Sequence, residues 1–241
     1  MPTPTMTRIR SRGFFVLGLL ALFFPAGSRA QEASDTIPYA LQHHAARRAA
    51  FAKEPVVPGR IIFLGNSITE FGNWSALLKD PTVLNRGIAG DITFGMLRRL
   101  DEIVQRRPSK LFIEAGINDI SLNVAAPTIA SRITAIVTGV RRHSPQTVVY
   151  VTSVLPTNEA VRTEYPAAYG KNDRVEAVNA LLQANAARDR YFFVDLHREV
   201  RDARGQLDRR YADADGLHLN AEGYRVWVTL LRRRGFLPGP A

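Results

Sequence analysis

Residues 60–69 read RIIFLGNSIT, a short run of apolar and β-branched residues that ends at Gly65 and leads into Ser67. The run has the length of one buried β-strand. A serine at a tight turn from strand to helix can present its hydroxyl at the edge of a sheet, while backbone N–H groups of the turn point at a bound oxygen. Ser67 alone is equally compatible with a helix N-cap, because Ser and Thr are common caps.

Four more runs of this kind follow along the chain, and segments with apolar residues at helical spacing lie between them. This alternation indicates a parallel sheet covered by helices on both faces, with right-handed crossovers. Ligands of such sheets bind at the carboxyl ends of the strands. The predicted strands are Arg60–Leu64, Thr82–Asn85, Lys110–Ala115, Thr147–Val154 and Tyr191–Asp195, and the predicted helices are Pro38–Ala52, Phe94–Arg106, Thr128–Arg142, Lys171–Arg188 and Ala221–Arg233.

The first thirty residues differ from the rest of the chain. Three arginines precede an apolar run from Phe14 to Phe24, and small residues stand shortly before Gln31. This pattern is typical of a signal peptide, with an uncleaved N-terminal anchor as the alternative. We therefore expect residues 1–30 to be a signal peptide and residues 31–241 to form a single periplasmic or secreted domain, without stable membrane insertion after cleavage.

Charge and cysteine content exclude several classes of function. The net charge is +10, but four arginines lie in residues 1–30, which leaves +6 for the remaining chain. The other arginines are dispersed in pairs without a nucleic-acid-binding motif, so we interpret them as solvated surface charge and expect no nucleic-acid partner. Cysteine is absent, which excludes disulfides and a thiol nucleophile.

Two further loops place hydrogen-bond donors at the same predicted edge of the sheet. Strand two ends in Gly87-Ile-Ala-Gly90-Asp91, where glycine permits a backbone geometry that could aim an N–H at an oxyanion. Strand three ends in Gly116-Ile-Asn118-Asp119, which supplies a carboxamide. Each loop alone is also compatible with a simple turn. Together they are harder to dismiss, since the fold brings these loops close to one another.

A candidate base lies near the C-terminus. Asp215 precedes His218 by three residues, so the carboxylate can hold the imidazole while its other nitrogen faces a serine. Asp195 and His197, at the end of the fifth strand, form a competing pair, although Asp195 is also a plausible helix cap. We interpret the other histidines as solvated or structural: His43 and His44 lie on an exposed-looking helix without a partner, and His143 follows Arg142 at a helix end. We favour the pair Asp215 and His218.

Taken together, Gly65-Asn-Ser-Ile-Thr69, Gly90 in its loop, Gly116-Ile-Asn-Asp119 and Asp215-Gly-Leu-His218 resemble the sequence blocks of SGNH (GDSL-type) hydrolases, in the order of that family. The resemblance implies a flavodoxin-like three-layer α/β/α fold with five parallel strands in the order 2-1-3-4-5. It also implies ester hydrolysis without a metal or cofactor.

The resemblance assigns roles to individual residues. Ser67 would be the nucleophile, His218 the general base and acid, and Asp215 the residue that orients it. The N–H groups of Ser67 and Gly90 and the side chain of Asn118 would form the oxyanion hole. Asn66 stands where the family usually has Asp. The resemblance therefore does not fix the subfamily or the hydrogen bonds that this position makes.

Four aromatic residues are candidates for substrate binding. Phe71 and Trp74 follow the nucleophile, although core packing is the more common role for at least one of them. Tyr165 and Tyr169 lie in the loop Pro156–Gly170, which follows the fourth strand and is either a surface excursion or a substrate-binding flap.

The leading hypothesis is therefore a secreted or periplasmic esterase that removes short acyl groups, plausibly acetyl, from a small-molecule or glycan ester. The alternatives are a lysophospholipase or thioesterase of the same fold, and a non-catalytic glycan-binding envelope protein. The sequence leaves the oligomeric state open.

Overall fold

The structure is a computed structural model, and it describes residues 1–2, 35–161 and 165–239. The predicted signal peptide therefore lies outside the described residues, apart from its first two positions. Residues 33–241 form one compact unit. None of the helices in the described ranges combines the length and apolar character that a bilayer span requires.

The predicted sheet is confirmed. Its five strands are all parallel and follow the order 2-1-3-4-5. Gly65, the last residue of the first strand, pairs with Gly87 on one side and with Glu114 on the other, so the ends of three strands meet at one edge. The strands are β1 (Ile61–Gly65), β2 (Leu84–Gly87), β3 (Lys110–Glu114), β4 (Val148–Thr152) and β5 (Phe192–Val194).

Helices surround this sheet, so the predicted α/β class with helices on both faces is also confirmed. The described residues form α1 (Leu41–Lys53), α2 (Ser67–Glu70), α3 (Trp74–Leu78), α4 (Thr93–Arg98), α5 (Leu100–Val104), α6 (Ile117–Ser121), α7 (Ala126–His143), α8 (Asn172–Asp189), α9 (Leu196–Val200) and α10 (Ala221–Arg233), with 3-10 turns at Pro38–Ala40 and Pro166–Ala168.

The predicted helix Phe94–Arg106 is broken at Arg99. This residue leaves the helical conformation, with φ −110° and ψ 16°. Its guanidinium is buried and donates to the carboxylate of Asp91 at 2.8 Å and to the carbonyls of Gly65 (3.2 Å) and Arg86 (2.9 Å). Apolar periodicity carries no information about such a polar anchor, which is why the sequence predicts one continuous helix.

A stack of aromatic rings forms the centre of the core. Phe63 in β1 stacks on Trp74 with a centroid distance of 3.8 Å and on Phe112 in β3 at 4.7 Å. Trp74 is only 1% exposed, and its indole N–H donates to the carbonyl of Thr69 at 2.8 Å. The expectation that Trp74 binds substrate is therefore wrong, because burial of its large apolar ring in the core dominates.

Glu114 is an unusual buried acid at the end of β3. It is 1% exposed, and neither carboxylate oxygen has a hydrogen-bond partner within the described residues. Burial raises the pKa of Glu114 to about 8, because an unpaired carboxylate loses its hydration in the interior. The side chain is therefore mostly protonated at neutral pH.

This burial predicts a specific pH dependence of stability. Glu114 ionises near pH 4.5 in the unfolded chain but holds its proton up to about pH 8 in the folded one, so its contribution to the unfolding free energy falls across that window. Between pH 6 and 9, wild type should lose about 3 kcal/mol more than Glu114→Gln in urea titrations. Identical pH profiles for the two proteins would contradict this account.

Candidate active site

Ser67 is the first residue of α2, directly beyond the end of β1. The turn needs glycine at position 65, because a Cβ there would come within 2.1 Å of Thr69 Oγ1 and 2.4 Å of the Glu114 carbonyl oxygen. Asn66 caps the helix, since its Oδ1 accepts a hydrogen bond from the N–H of Ile68 at 2.9 Å. The amide at position 66 thus keeps the acceptor that the cap requires, while its buried Nδ2 has no partner in the described chain.

The structure brings Ser67, His218 and Asp215 into one chain of hydrogen bonds. His218 Nε2 lies 2.8 Å from Ser67 Oγ, and His218 Nδ1 lies 2.5 Å from Asp215 Oδ2. The other carboxylate oxygen, Oδ1, accepts from the N–H groups of Leu217 and His218, both at 2.9 Å. Residues 151 positions apart in the chain therefore form the arrangement that a serine needs to lose its proton to an imidazole.

The charge of Asp215 follows from these contacts. Burial raises its pKa, but the hydrogen bonds from His218 and from the N–H groups of Leu217 and His218 outweigh burial and hold the pKa of Asp215 below its usual value. An ionised Asp215 favours the proton on Nδ1 of His218. Nε2 is then left as the acceptor that faces Ser67 Oγ.

Neither residue of the competing pair at the end of β5, Asp195 and His197, lines the pocket that holds Ser67. His197 is buried in α9, and its backbone N–H donates to Ser153 Oγ at 2.8 Å. Burial lowers the pKa of His197, and Arg201 lowers it further. Asp195 caps α9 by accepting from the N–H of Arg198. Geometry therefore favours the pair Asp215 and His218.

Three residues that carry candidate oxyanion donors line the pocket beside Ser67 Oγ. They are Ser67, Gly90 and Asn118. Within the described chain, the backbone N–H groups of Ser67 and Gly90 donate to no protein acceptor. Asn118 Nδ2 donates one of its two protons to the carbonyl of Asp91 at 2.9 Å, which fixes the amide and leaves the second proton available. We call residues 87–91, which carry Gly90, the oxyanion loop.

The pocket has a volume of about 430 Å³ and a mainly apolar lining. Phe71 is 56% exposed there, and its ring centroid lies 5.0 Å from that of His218. The ring of Tyr165 lies 5.7 Å from the same imidazole. The lining also includes the segments 37–40 and 165–168, together with His43, Ala89, Ser121, Leu122 and Leu217.

Tyr169 has a different place from the one predicted. Its ring is buried, it does not line this pocket, and its hydroxyl donates to the backbone carbonyl of Asp215 at 2.5 Å. The expectation of direct substrate contact is therefore wrong for Tyr169, because its hydroxyl is held by the backbone beside the imidazole. The 3-10 turn Pro166–Ala168, which precedes it in the loop Pro156–Gly170, forms part of the pocket wall.

Sequence reasoning missed the residues before β1. His43 lines the pocket, and its Nε2 lies 2.9 Å from the carboxylate of Glu70. His44 is buried, with Nε2 3.4 Å from Asp91 Oδ1. The interpretation of His43 as a histidine without a partner is therefore wrong. One available signal is the four-residue spacing of His43 and Arg47, which places both on one helix face, and both contact Glu70.

Within residues 35–161 and 165–239, no cluster of three or more His, Asp or Glu side chains is arranged to hold a metal ion.

Comparisons with known proteins agree with the fold. The model of the GDSL-like lipase/acylhydrolase family matches residues 63–226. A solved Streptococcus pneumonia protein, whose name refers to platelet activating factor, is 30% identical, and the match covers 81% of this chain and 94% of that chain with a TM-score of 0.71. A Bacteroides fragilis protein described as an acylhydrolase is 26% identical, with coverage of 80% and 94% and a TM-score of 0.67.

A third structure has a similar fold but a lower sequence identity. It is a variant of an acetyl-xylooligosaccharide esterase from Geobacillus, 15% identical, with coverage of 74% and 95% and a TM-score of 0.58, and it shares the fold. A search of curated proteins gave no match.

The site geometry predicts the reactivity of Ser67. A fluorophosphonate should label Ser67, and Asp215→Asn should slow labelling by about 10³- to 10⁴-fold, because the amide no longer holds His218 in the required tautomer. Asp195→Asn is the matched control, since it alters the other aspartate that precedes a histidine and should leave the labelling rate within about twofold. Mass spectrometry of the labelled peptide gives both rates, and slower labelling of Asp195→Asn instead would assign the relay to His197.

Proposed function

The chain belongs to the GDSL-like lipase/acylhydrolase family and is a carboxylic ester hydrolase, and we propose that Ser67, His218 and Asp215 are its catalytic residues. The hydrogen-bond chain from Asp215 through His218 to Ser67 is the observation that carries this proposal. Gly90 and Asn118, together with the N–H of Ser67, serve as the oxyanion hole.

The proposed mechanism follows from the positions of these atoms. His218 Nε2 accepts the proton of Ser67 as Oγ attacks the carbonyl carbon of the ester. The carbonyl oxygen becomes negatively charged and is stabilised by the three proposed donors. The imidazolium then protonates the leaving alcohol, and an acyl group stays on Ser67. Water, deprotonated by the same imidazole, releases the acid and restores the serine.

We propose that the substrate is a short O-acyl ester of a carbohydrate, with acetyl as the acyl group. Exposed aromatic rings at the pocket support this, since Tyr39 is 73% exposed and Phe71 56% exposed. Rings of this kind offer flat apolar faces against which a sugar ring can pack. The fold is shared with an acetyl-xylooligosaccharide esterase, so it accommodates this class of substrate.

A second candidate substrate is a longer acyl ester or thioester. The observation that favours it is the apolar lining of the pocket, to which Ile37, Leu122 and Leu217 contribute. An apolar wall stabilises each buried methylene of an acyl chain by about 0.8 kcal/mol. The two candidates therefore differ in how the rate depends on chain length.

Chain-length profiling distinguishes the two candidates. The carbohydrate deacetylase should hydrolyse p-nitrophenyl acetate and butyrate with kcat/KM at least about tenfold above the octanoate and decanoate esters, since binding of long chains adds nothing useful to such a site. Release of acetate from acetylated xylooligosaccharides should accompany this profile. A preference for acyl chains of eight carbons or more would exclude the deacetylase and favour the second candidate.

We also propose that the enzyme acts in the periplasm or outside the cell. The support is the basic and apolar pattern of residues 1–30. Expression of the full chain in a bacterial host should yield an exported protein whose N-terminal residue, read by mass spectrometry, is Gln31. A cytoplasmic product that retains residue 30 and the apolar run would refute export by cleavage.

A further inference from the structure

The segment of residues 35–48 lies directly against the oxyanion loop, although it precedes residues 63–226, which the family model matches. We call it the N-terminal segment. Thr36 forms a β-bridge with Asp91, and the ring of Tyr39 and the side chain of His43 reach the pocket. No role in the chemistry follows from the triad and the three donors alone for any of these residues.

The N-terminal segment holds the carbonyl of Gly90. That oxygen accepts two hydrogen bonds, one from Thr36 Oγ1 at 2.7 Å and one from the N–H of Ile37 at 3.0 Å. Thr36 is fully buried. Two donors on one buried carbonyl fix the orientation of the peptide group that joins Gly90 to Asp91.

Glu70 holds the peptide group on the other side. Its Oε2 accepts from the N–H of Ala89 at 2.5 Å, which fixes the peptide that joins Ile88 to Ala89. The N-terminal segment secures Glu70 in turn, since His43 Nε2 lies 2.9 Å from Oε2 and Arg47 Nε lies 3.2 Å from Oε1. Arg47 also donates to the carbonyl of Gly87 at 3.1 Å.

The peptide between Ala89 and Gly90 carries the N–H of the proposed oxyanion donor, and it lies between these two held peptide groups. Gly90 has φ +80°, a conformation that favours glycine, and a Cβ there would come within 2.4 Å of Ala40 Cβ and 2.9 Å of Ile37 Cγ1. The N-terminal segment therefore packs on Gly90 itself. An oxyanion donor is effective only within a narrow range of distances, roughly 2.7 to 3.1 Å from the oxygen.

We propose that the N-terminal segment is a working part of the oxyanion hole, with Thr36 and Glu70 as positioning residues for the Gly90 N–H. The proposal rests on the proposed role of Gly90 as an oxyanion donor. A purely structural role for the same contacts predicts a loss of stability without a selective loss of turnover, and this difference can be measured.

The test compares two buried threonines that donate to carbonyls. Thr36→Val removes the hydroxyl that holds Gly90. Thr147→Val is the matched control, because Thr147 is also buried and donates to a carbonyl, that of Pro108, at 2.6 Å. Both residues stand just before β3 and β4 begin, so this bond lies at the opposite end of the strands from Ser67. Thr36→Ser keeps the hydroxyl and serves as the rescue variant. Kinetics use the p-nitrophenyl ester that wild type hydrolyses fastest, so the outcome does not depend on the natural substrate.

Thr36→Val should lower kcat by about tenfold and change KM by less than about twofold, because the misplaced N–H matters in the transition state more than in the bound substrate. Thr36→Ser should stay within about twofold of wild type, and Thr147→Val should keep its kcat even where urea titration shows a similar loss of stability. Glu70→Ala should lower kcat as Thr36→Val does, and Glu70→Gln, which keeps an acceptor oxygen, should restore most of it.

A second measurement does not depend on turnover. Phenylboronic acid bonds covalently to a serine oxygen, and the resulting tetrahedral adduct places an oxygen at the oxyanion hole, so its inhibition constant should rise by about tenfold in Thr36→Val and stay unchanged in Thr147→Val. Asn118→Ala is the positive control, since it removes a proposed donor directly and should lower kcat by about 10²- to 10³-fold.

The outcomes separate two kinds of failure. If Asn118→Ala lowers kcat but Thr36→Val behaves like Thr147→Val, the N-terminal segment is only structural and this proposal is wrong. A rise in KM without a loss of kcat in Thr36→Val would also show that this proposal is wrong. If Asn118→Ala also leaves kcat unchanged, the assigned oxyanion hole is wrong and this proposal is refuted with it.

Discussion

The buried ion pair between Arg99 and Asp91 connects the two loops on which the chemistry depends. The guanidinium donates to the Asp91 carboxylate and also to two backbone carbonyls. One belongs to Gly65, the last residue of β1, and the other to Arg86, the next-to-last residue of β2. A buried charge is costly unless its hydrogen bonds are made. This pair therefore requires the end of β1, which leads into Ser67, and the oxyanion loop to keep one fixed relative position.

The same edge of the sheet collects groups from distant parts of the chain. Asn118 donates to the carbonyl of Asp91, and the neighbouring Asp119 accepts from both the N–H and the hydroxyl of Thr93. Asp215, which bonds the imidazole of His218, is held by separate contacts. Its carboxylate accepts from two backbone N–H groups, and its backbone carbonyl accepts from the Tyr169 hydroxyl. These contacts within the chain fix the groups that we propose as catalytic residues, and such fixed donors are what electrostatic stabilisation requires.

The sequence predicts features that repeat or that occur in fixed local order. Five apolar runs separated by helical segments are sufficient for the parallel sheet, and resemblance to family blocks is sufficient for its strand order and for the approach of His218 to Ser67. Prediction from the sequence fails where a polar contact overrides the apolar periodicity, as at Arg99, where the predicted helix is broken. It also fails where a ring has two good environments: Trp74 is buried in the core, while Phe71, three positions earlier, is exposed in the pocket.

The N-terminal segment shows why the remaining part of the site is hard to predict. Its contacts with the oxyanion loop join residues about fifty positions apart, as with Thr36 and Gly90, and no local pattern marks a threonine that will bond a distant carbonyl. The regions that wall the pocket, residues 37–40 and 165–168, lie outside the strands. The proposed triad is therefore placed by the carboxyl ends of the strands and by the loop before α10, whereas the pocket wall depends on segments outside the sheet, one of which also contacts Gly90.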